Sequence, residues 1–149
     1  ESILKSKKIG NAVIYRINAE NTYALNHTSL ILARERIYAQ SKVKIWIKEL
    51  KKIKNADIII LFGSVLKKES PNDIDVVFVT DKNKFKKLQK EVEEINKINT
   101  KRIHPLYQGF EDIILNIKKR DKPLLNAIKG IVVIGEEKFL EVNNESCKE

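Results

Sequence analysis

Short apolar runs separated by amphipathic segments recur along the chain, and this pattern predicts a protein of mixed strands and helices. Residues 57–62 are nearly all apolar, which is typical of a strand that is covered on both faces, and residues 73–80 are expected to form a second strand. Weaker strand patterns lie at 101–106 and 131–134. Apolar residues recur at helical spacing within 23–53, 85–98, 109–119 and 123–128, and a last ordered segment is expected over 136–142. This order of elements predicts an α+β fold in which helices flank a small mixed β-sheet.

The N-terminal residues predict a separate small unit. Residues 1–8 are expected to be the end of a basic helix, and residues 9–18 form a β-hairpin pattern with Gly10-Asn11 as turn material. The series Leu4-Lys5, Gly10 and Tyr15-Arg16-Ile17-Asn18 resembles the last part of a winged-helix DNA-binding domain, in which a wing follows the recognition helix. A hairpin that simply packs on the main domain is the alternative. The expected division is a partial winged helix at 1–26, a main domain at 27–142 and a polar tail at 143–149.

The most specific signal is Gly63-Ser64, followed after a short loop by Asp73-Ile74-Asp75. Side chains alternate between the faces of a strand, so Asp73 and Asp75 are expected on one side, with Ile74 pointing into the core. Carboxylates that close repel each other unless a proton or a cation intervenes, and Mg²⁺ suits an oxygen-only pair that faces phosphates. The pattern predicts metal-dependent chemistry on a nucleotide. The alternative is a loop that these residues merely shape, but it gives no reason for a second Asp inside an apolar strand.

Gly63-Ser64 and Asp73-Ile74-Asp75, with apolar runs before and after them, resemble the minimal nucleotidyltransferases of the DNA polymerase β superfamily. The resemblance covers residues 41–140 and implies the nucleotidyltransferase fold. It implies transfer of a nucleoside monophosphate from a nucleoside triphosphate, with ATP as the expected donor, to an acceptor, and release of pyrophosphate. It also implies that Asp73 and Asp75 are the catalytic carboxylates that hold Mg²⁺, and that Gly63 and Ser64 bind the triphosphate.

The sequence departs from the family pattern at two places. Many relatives carry Ala-Arg-Gly where this chain has Leu66, Lys67 and Lys68, and Lys67 or Lys68 could offer positive charge to a phosphate. Many active members also place a third carboxylate on the neighbouring strand, but residues 100–105 contain no acid. His104 is a candidate base or ligand there, and a structural role is the alternative.

The missing acid leaves two other functions open besides catalysis. One is a regulator that binds DNA through the winged helix and senses nucleotide through a degenerate nucleotidyltransferase domain. The other is an antitoxin-like partner of a small toxin. For the enzyme, the acceptor is expected to be a protein hydroxyl, an RNA end or a small molecule. A homodimer or a partner protein is expected to complete the site.

The amino-acid composition indicates which binding partners and which cellular compartment to expect. The 149 residues carry a net charge of +9, which favours polyanionic partners such as nucleotide phosphates or nucleic acid. Cys147 is the only cysteine, which excludes a disulfide framework or a zinc cluster within one chain and fits a reducing cytoplasm. No apolar run approaches membrane-spanning length, so no membrane association is expected. The absence of Met leads us to expect that the natural N-terminus lies before Glu1.

Overall fold

The N-terminal segment is a β-hairpin. In the computed structural model, which describes residues 2–67 and 70–147, strand β1 (Leu4–Ile9) pairs with the antiparallel strand β2 (Ala12–Ile17). The expected basic helix over residues 1–8 is therefore wrong for the residues from Leu4 onward, and Glu1 lies outside the described residues. Gly10, with a φ of 59°, reverses the chain, so that pairing with β2 replaces the helix that the lysine-rich sequence suggested. The expected N-terminal hairpin is confirmed.

A second sheet of four strands forms the centre of the molecule. Its strands are β3 (Ile58–Phe62), β4 (Ile74–Val79), β5 (Ile103–Gln108) and β6 (Ile131–Ile134). They lie in the order β5-β4-β3-β6, with β3 antiparallel to both of its neighbours and β4 parallel to β5. The sheet is therefore small and mixed, and the predicted α+β class is confirmed at this level.

Over the part of the chain that the structure describes, six α-helices accompany the two sheets. They are α1 (Thr22–Tyr38), α2 (Ser41–Leu50), α3 (Phe85–Ile98), α4 (Phe110–Lys118), α5 (Lys122–Ala127) and α6 (Glu136–Ser146). Helix α6 continues past Val142, the expected end of the last ordered segment, and takes in four residues of the expected polar tail. The domain boundary expected after residue 26 falls inside α1. Within the described residues, no helix is both long enough and apolar enough to cross a membrane.

The central sheet carries a separate apolar core on each face. On one face, Ile59, Leu61, Ile74, Val76 and Phe78 pack with buried residues of α2 and α3, including Trp46. On the other face, Ile58, Ile60, Val77 and Val79 pack with buried residues of α4, α5 and α6. Because β3 and β4 are buried on both faces, their sequences do not alternate between apolar and polar residues, and apart from Asp75 every residue of the two strands is apolar.

The carboxylate of Asp57, just before β3, contacts side chains from the end of β4, the start of α3 and α6. One of its carboxylate oxygens accepts a hydrogen bond from Thr80 Oγ1 at 2.7 Å and lies 3.4 Å from Lys84 Nζ, while the other pairs with Lys138 of α6. Burial raises the pKa of Asp57, but the hydrogen bonds from Lys138 and Thr80 and the charges of both lysines outweigh it, so the pKa lies below its ordinary value of 3.8. The charged form therefore stabilises the fold.

Asp57→Asn is expected to lower the free energy of unfolding at neutral pH by about 1 kcal/mol, since it keeps an acceptor for Thr80 but removes the charge that faces two partly exposed lysines. A carboxyl whose pKa is lower in the folded state contributes stability above its unfolded pKa and loses it as the pH falls through the folded pKa. The difference between wild type and variant should therefore shrink below about pH 4. Urea unfolding of both proteins between about pH 7.5 and about pH 3.5 measures this difference in the free energy of unfolding.

Asp81→Asn is the matched control, because Asp81 is well exposed and lies 3.9 Å from the same lysine, Lys84. This variant should change stability little at any pH. A deficit of Asp57→Asn that persists undiminished at the acidic end would contradict the stabilising role of the Asp57 charge.

Candidate functional site

The chain leaves β3 through a tight turn that opens with Gly63. Residues Gly63–Leu66 form one 3₁₀ turn, and the N–H of Lys67 closes it on the carbonyl oxygen of Ser64 at 3.0 Å. Val65 is buried in the core beneath α2 and anchors the turn, whereas Ser64 is half-buried and Lys67 is exposed. The small residues thus stay at the surface while an apolar side chain holds the turn in place.

Asp75 extends its carboxylate over Gly63. Strand pairing sets Asp75 opposite Phe62, the last residue of β3, so its side chain lies beside the residue that begins the turn. A Cβ atom on Gly63 would collide with Oδ2 of Asp75 and would lie 3.1 Å from its Cγ. Gly63 also has a φ of 79°, in the left-handed region that favours glycine. Both the backbone and the neighbouring carboxylate therefore require glycine at this position.

His104 holds the other oxygen of the same carboxylate. The parallel register of β4 and β5 sets His104 beside Asp75, and Nδ1 of His104 lies 3.2 Å from Oδ1 of Asp75. The Asp75 side chain is 27% exposed and the His104 side chain is 78% exposed, so the pair opens to solvent. Strand β5 reads Ile-His-Pro-Leu-Tyr-Gln and contributes no carboxylate. One oxygen of Asp75 thus faces the turn and the other faces a histidine.

Basic residues border the loop between the turn and β4. Nζ of Lys101 donates to Oγ of Ser70 at 3.3 Å and to the carbonyl oxygen of Pro71, and the N–H of Ile74 donates to the carbonyl oxygen of Arg102 at 2.9 Å. The sequence interpretation missed Lys101, since nothing in the local pattern marks a lysine before β5 as a partner of a loop 30 residues earlier. The loop end is therefore held to β5 next to the carboxylate.

The structure brings some of the predicted site residues together. Gly63 and Asp75 are in contact, and His104 joins them. Asp73 lies one residue before β4 and is exposed, and Lys67 lies at the end of the turn. Lys68 lies outside the described residues. Ile74, between the two acids, is fully buried, as expected for a side chain that points into the core.

The donor set of the site suits a hard cation that also binds phosphate. Within residues 2–67 and 70–147, no three His, Cys, Asp or Glu side chains are grouped so that they could hold a metal ion by themselves. Mg²⁺ is usually held by one or two carboxylates and takes its other ligands from phosphates and water. Asp75 supplies one such carboxylate, and its Oδ2 lies against Gly63.

Gly63→Ala is expected to destabilise the fold by more than the ~1–3 kcal/mol of left-handed backbone strain, because the new Cβ also meets Asp75. In the double variant Gly63→Ala/Asp75→Ala the collision is absent, so the two substitutions should be coupled in a double-mutant cycle. Urea unfolding of the four proteins measures this coupling.

Gly10→Ala provides the control for backbone strain alone, since Gly10 also has a positive φ of 59° but no atom within 4 Å of an added Cβ. It should lose less stability than Gly63→Ala. Strict additivity of the Gly63 and Asp75 substitutions would show that the carboxylate does not lie over the turn.

Comparison with known proteins identifies a family. The sequence model of a family described as "Family of unknown function (DUF6932)" matches residues 7–134, a segment that contains the turn, the strands β3 to β6 and His104. No curated protein matches the chain. The chain belongs to the DUF6932 family, whose function is unknown.

Proposed function

We propose that this chain is a Mg²⁺-dependent nucleotidyltransferase with the fold of the DNA polymerase β superfamily. It would transfer a nucleoside monophosphate from a nucleoside triphosphate, with ATP as the expected donor, to an acceptor hydroxyl. The observation that supports this proposal most is the carboxylate of Asp75, which lies directly over a turn that begins with glycine. A turn that only reversed the chain would not require an acidic side chain at its surface.

The turn is the part that would receive the triphosphate. Gly63 has no side chain, so the backbone of the turn and the Asp75 carboxylate lie close together, and a triphosphate bound there would contact both. The half-buried hydroxyl of Ser64 would donate to the β- or γ-phosphate. The exposed ammonium of Lys67, at the end of the turn, would contribute positive charge without the bidentate geometry of arginine.

The two acids are the residues that would hold the metal. Asp75 would contribute the oxygen above Gly63, and Asp73 would contribute its carboxylate from the exposed position before β4. A Mg²⁺ ion held by these acids would supply positive charge that neutralises the charge developing during nucleotidyl transfer. By holding one oxygen of Asp75, His104 would keep the other directed toward the turn. In this proposal His104 is a positioning residue on the strand where many relatives carry a third acid.

The acceptor would approach from the open side of the site. Asp73 and His104 are both exposed, so the Asp75 carboxylate is reachable from solvent. A protein hydroxyl, an RNA end or a small molecule would meet the nucleotide there. The acceptor can be identified as the molecule to which the nucleotide label is transferred.

ATP labelled at the α-phosphate tests the transfer. Incubated with the protein, Mg²⁺ and a lysate that contains the acceptor, it should label that acceptor, whereas ATP labelled at the γ-phosphate should not, because pyrophosphate leaves with the γ-phosphate. Asp75→Asn should lower the labelling by at least ~100-fold, since one charged metal ligand is lost.

Asp112→Asn is the matched control, because Asp112 is an exposed acid on α4 that pairs with Lys82. Thermal unfolding separates binding from turnover. Mg²⁺ with ATP should raise the melting temperature of the wild type and of the control but not of Asp73→Asn/Asp75→Asn. Equal stabilisation of all three proteins, or labelling from the γ-phosphate alone, would overturn the proposal.

A second candidate function, DNA binding by the N-terminal hairpin, is favoured by the charge and exposure of that hairpin. Residues 4–17 contain Lys5, Lys7, Lys8 and Arg16 and no acid, and every strand residue except Lys5 is exposed. Lys5 pairs with Glu20, and the basic character of the hairpin as a whole suits the phosphates of DNA. A regulator would combine this hairpin with nucleotide sensing at the Asp75 site.

Binding of the whole chain to duplex DNA should weaken steeply with salt, because each phosphate contact releases counterions. Lys7→Ala/Arg16→Ala, at two positions on the same face of the hairpin, should reduce the slope of log affinity against log salt by about 2, while Lys87→Ala/Lys90→Ala, which removes two exposed lysines of α3, should leave it unchanged. Fluorescence anisotropy at several salt concentrations measures both slopes. Equal slopes for the two variants would exclude the hairpin as the DNA contact.

A further inference from the structure

Helix α1 has two apolar faces, and only one of them lies on the domain. The inner face includes the buried Ala24 and the partly buried Leu32, and Arg36 fastens it by donating to the carbonyl oxygen of Val132 at 2.9 Å and by pairing with Glu136. The outer face exposes five large side chains to between 59% and 73%, namely Tyr23, Leu30, Ile31, Ile37 and Tyr38. A surface helix normally presents polar residues on its outer face.

The exposed side chains form one continuous stripe. Tyr23, Leu30 and Ile37 are spaced by seven residues, and Ile31 and Tyr38 form a parallel row on the same side of the helix. His27 and Arg34 lie between the two rows. The His27 ring lies 4.3 Å from the Tyr23 ring between centroids, and the Arg34 guanidinium lies 5.1 Å from the Tyr38 ring centroid. His27 and Arg34 therefore lie against the rings of Tyr23 and Tyr38, and the apolar surface continues on both sides of them.

The stripe is large enough for a specific contact. With about 200 Å² for a fully exposed large side chain, exposures of 59–73% for five residues correspond to roughly 600 Å² per chain. Two such stripes together would bury roughly 1,200 Å², the lower end of the range for specific protein interfaces. On a monomer, a patch of this size is at the upper limit of what soluble proteins expose.

Four of the five stripe residues, Tyr23, Leu30, Ile31 and Tyr38, are self-complementary in their order along the helix, whereas Ile37 has no counterpart within the stripe. In an antiparallel pair of helices related by a two-fold axis midway between Leu30 and Ile31, Leu30 faces Ile31 of the partner subunit and Tyr23 faces Tyr38 of the partner subunit. The exposed polar residues also correspond, since Asn26 faces the partner's Glu35 and His27 faces the partner's Arg34. No acid faces an acid in this register. A two-fold interface requires this reciprocity, in which residue i meets j and j meets i.

We propose that α1 pairs with α1 of a second copy of this chain in an antiparallel arrangement about that axis. Every residue of the stripe lies on α1, and α1 contributes no residue to the proposed nucleotide site. The occupant is a second copy because the spacing of Tyr23, Leu30, Ile31 and Tyr38 matches its own reverse and the exposed area reaches the lower end of what a dimer needs.

Sedimentation of the whole chain at tens of micromolar tests the proposal. The wild type should sediment as a dimer, and Leu30→Lys should raise the dissociation constant by at least about 100-fold, because two lysines would enter the apolar contact. Ile98→Lys is the matched control, since Ile98 is 73% exposed on α3, outside the stripe, and it should leave the dimer intact. A monomeric wild type, or a Leu30→Lys variant that remains dimeric, would overturn the proposal.

Mixing two variants tests the antiparallel register. Leu30→Lys and Ile31→Glu should each be monomeric, because position 30 faces position 31 of an identical partner. Mixed together they should form a heterodimer, since the lysine of one chain then faces the glutamate of the other and Ile31 faces Leu30 across the axis. Failure of the mixture to associate would exclude this register. The circular dichroism spectrum of each variant should match that of the wild type. A match shows that the variant is folded and that a missing dimer reflects loss of the interface.

Discussion

The pairing of β3 with β4 is the constraint on which the rest of the molecule depends. Both strands are buried on both faces, so their side chains are committed to two different cores and the register between them is tightly specified. A slip of one residue would turn Val77 and Val79 toward the wrong helices and drive the Asp75 carboxylate into the core beneath α2 and α3. The burial that stabilises the sheet therefore also places Asp75 opposite Phe62 and above Gly63.

The candidate site departs from what stability alone would favour. Asp75 is a charged residue within an apolar strand, and Gly63 combines a left-handed backbone with a close approach to that charge. Residues that lower local stability are typical of functional sites. The rest of the fold must then supply the stability that these residues cost. His104, on the neighbouring strand, engages the same carboxylate. The proposed nucleotidyltransferase accounts for all three residues, whereas a purely structural loop accounts for none of the acidic charge.

Local sequence patterns predicted the main helices and strands, but not which strands pair or which side chains meet. The boundaries of α3, Phe85–Ile98, follow from a strongly amphipathic segment, and β3 and β4 follow from apolar runs that only Asp75 interrupts. The N-terminal strand was missed because its partner lies across a turn and its lysines suggested a helix. The contact between His104 and Asp75 depends on the parallel register of β5 beside β4, which is a property of the whole sheet. Periodicity also cannot tell which apolar face of α1 lies inward, and this hid the exposed stripe.

A structure of the chain with Mg²⁺ and a non-hydrolysable nucleoside triphosphate tests the central claim most directly. The account predicts that the triphosphate lies against Gly63 and Ser64, and that the metal is bound by Oδ2 of Asp75. A nucleotide bound elsewhere, or a triphosphate at the turn whose metal has no contact with Asp75, would contradict it.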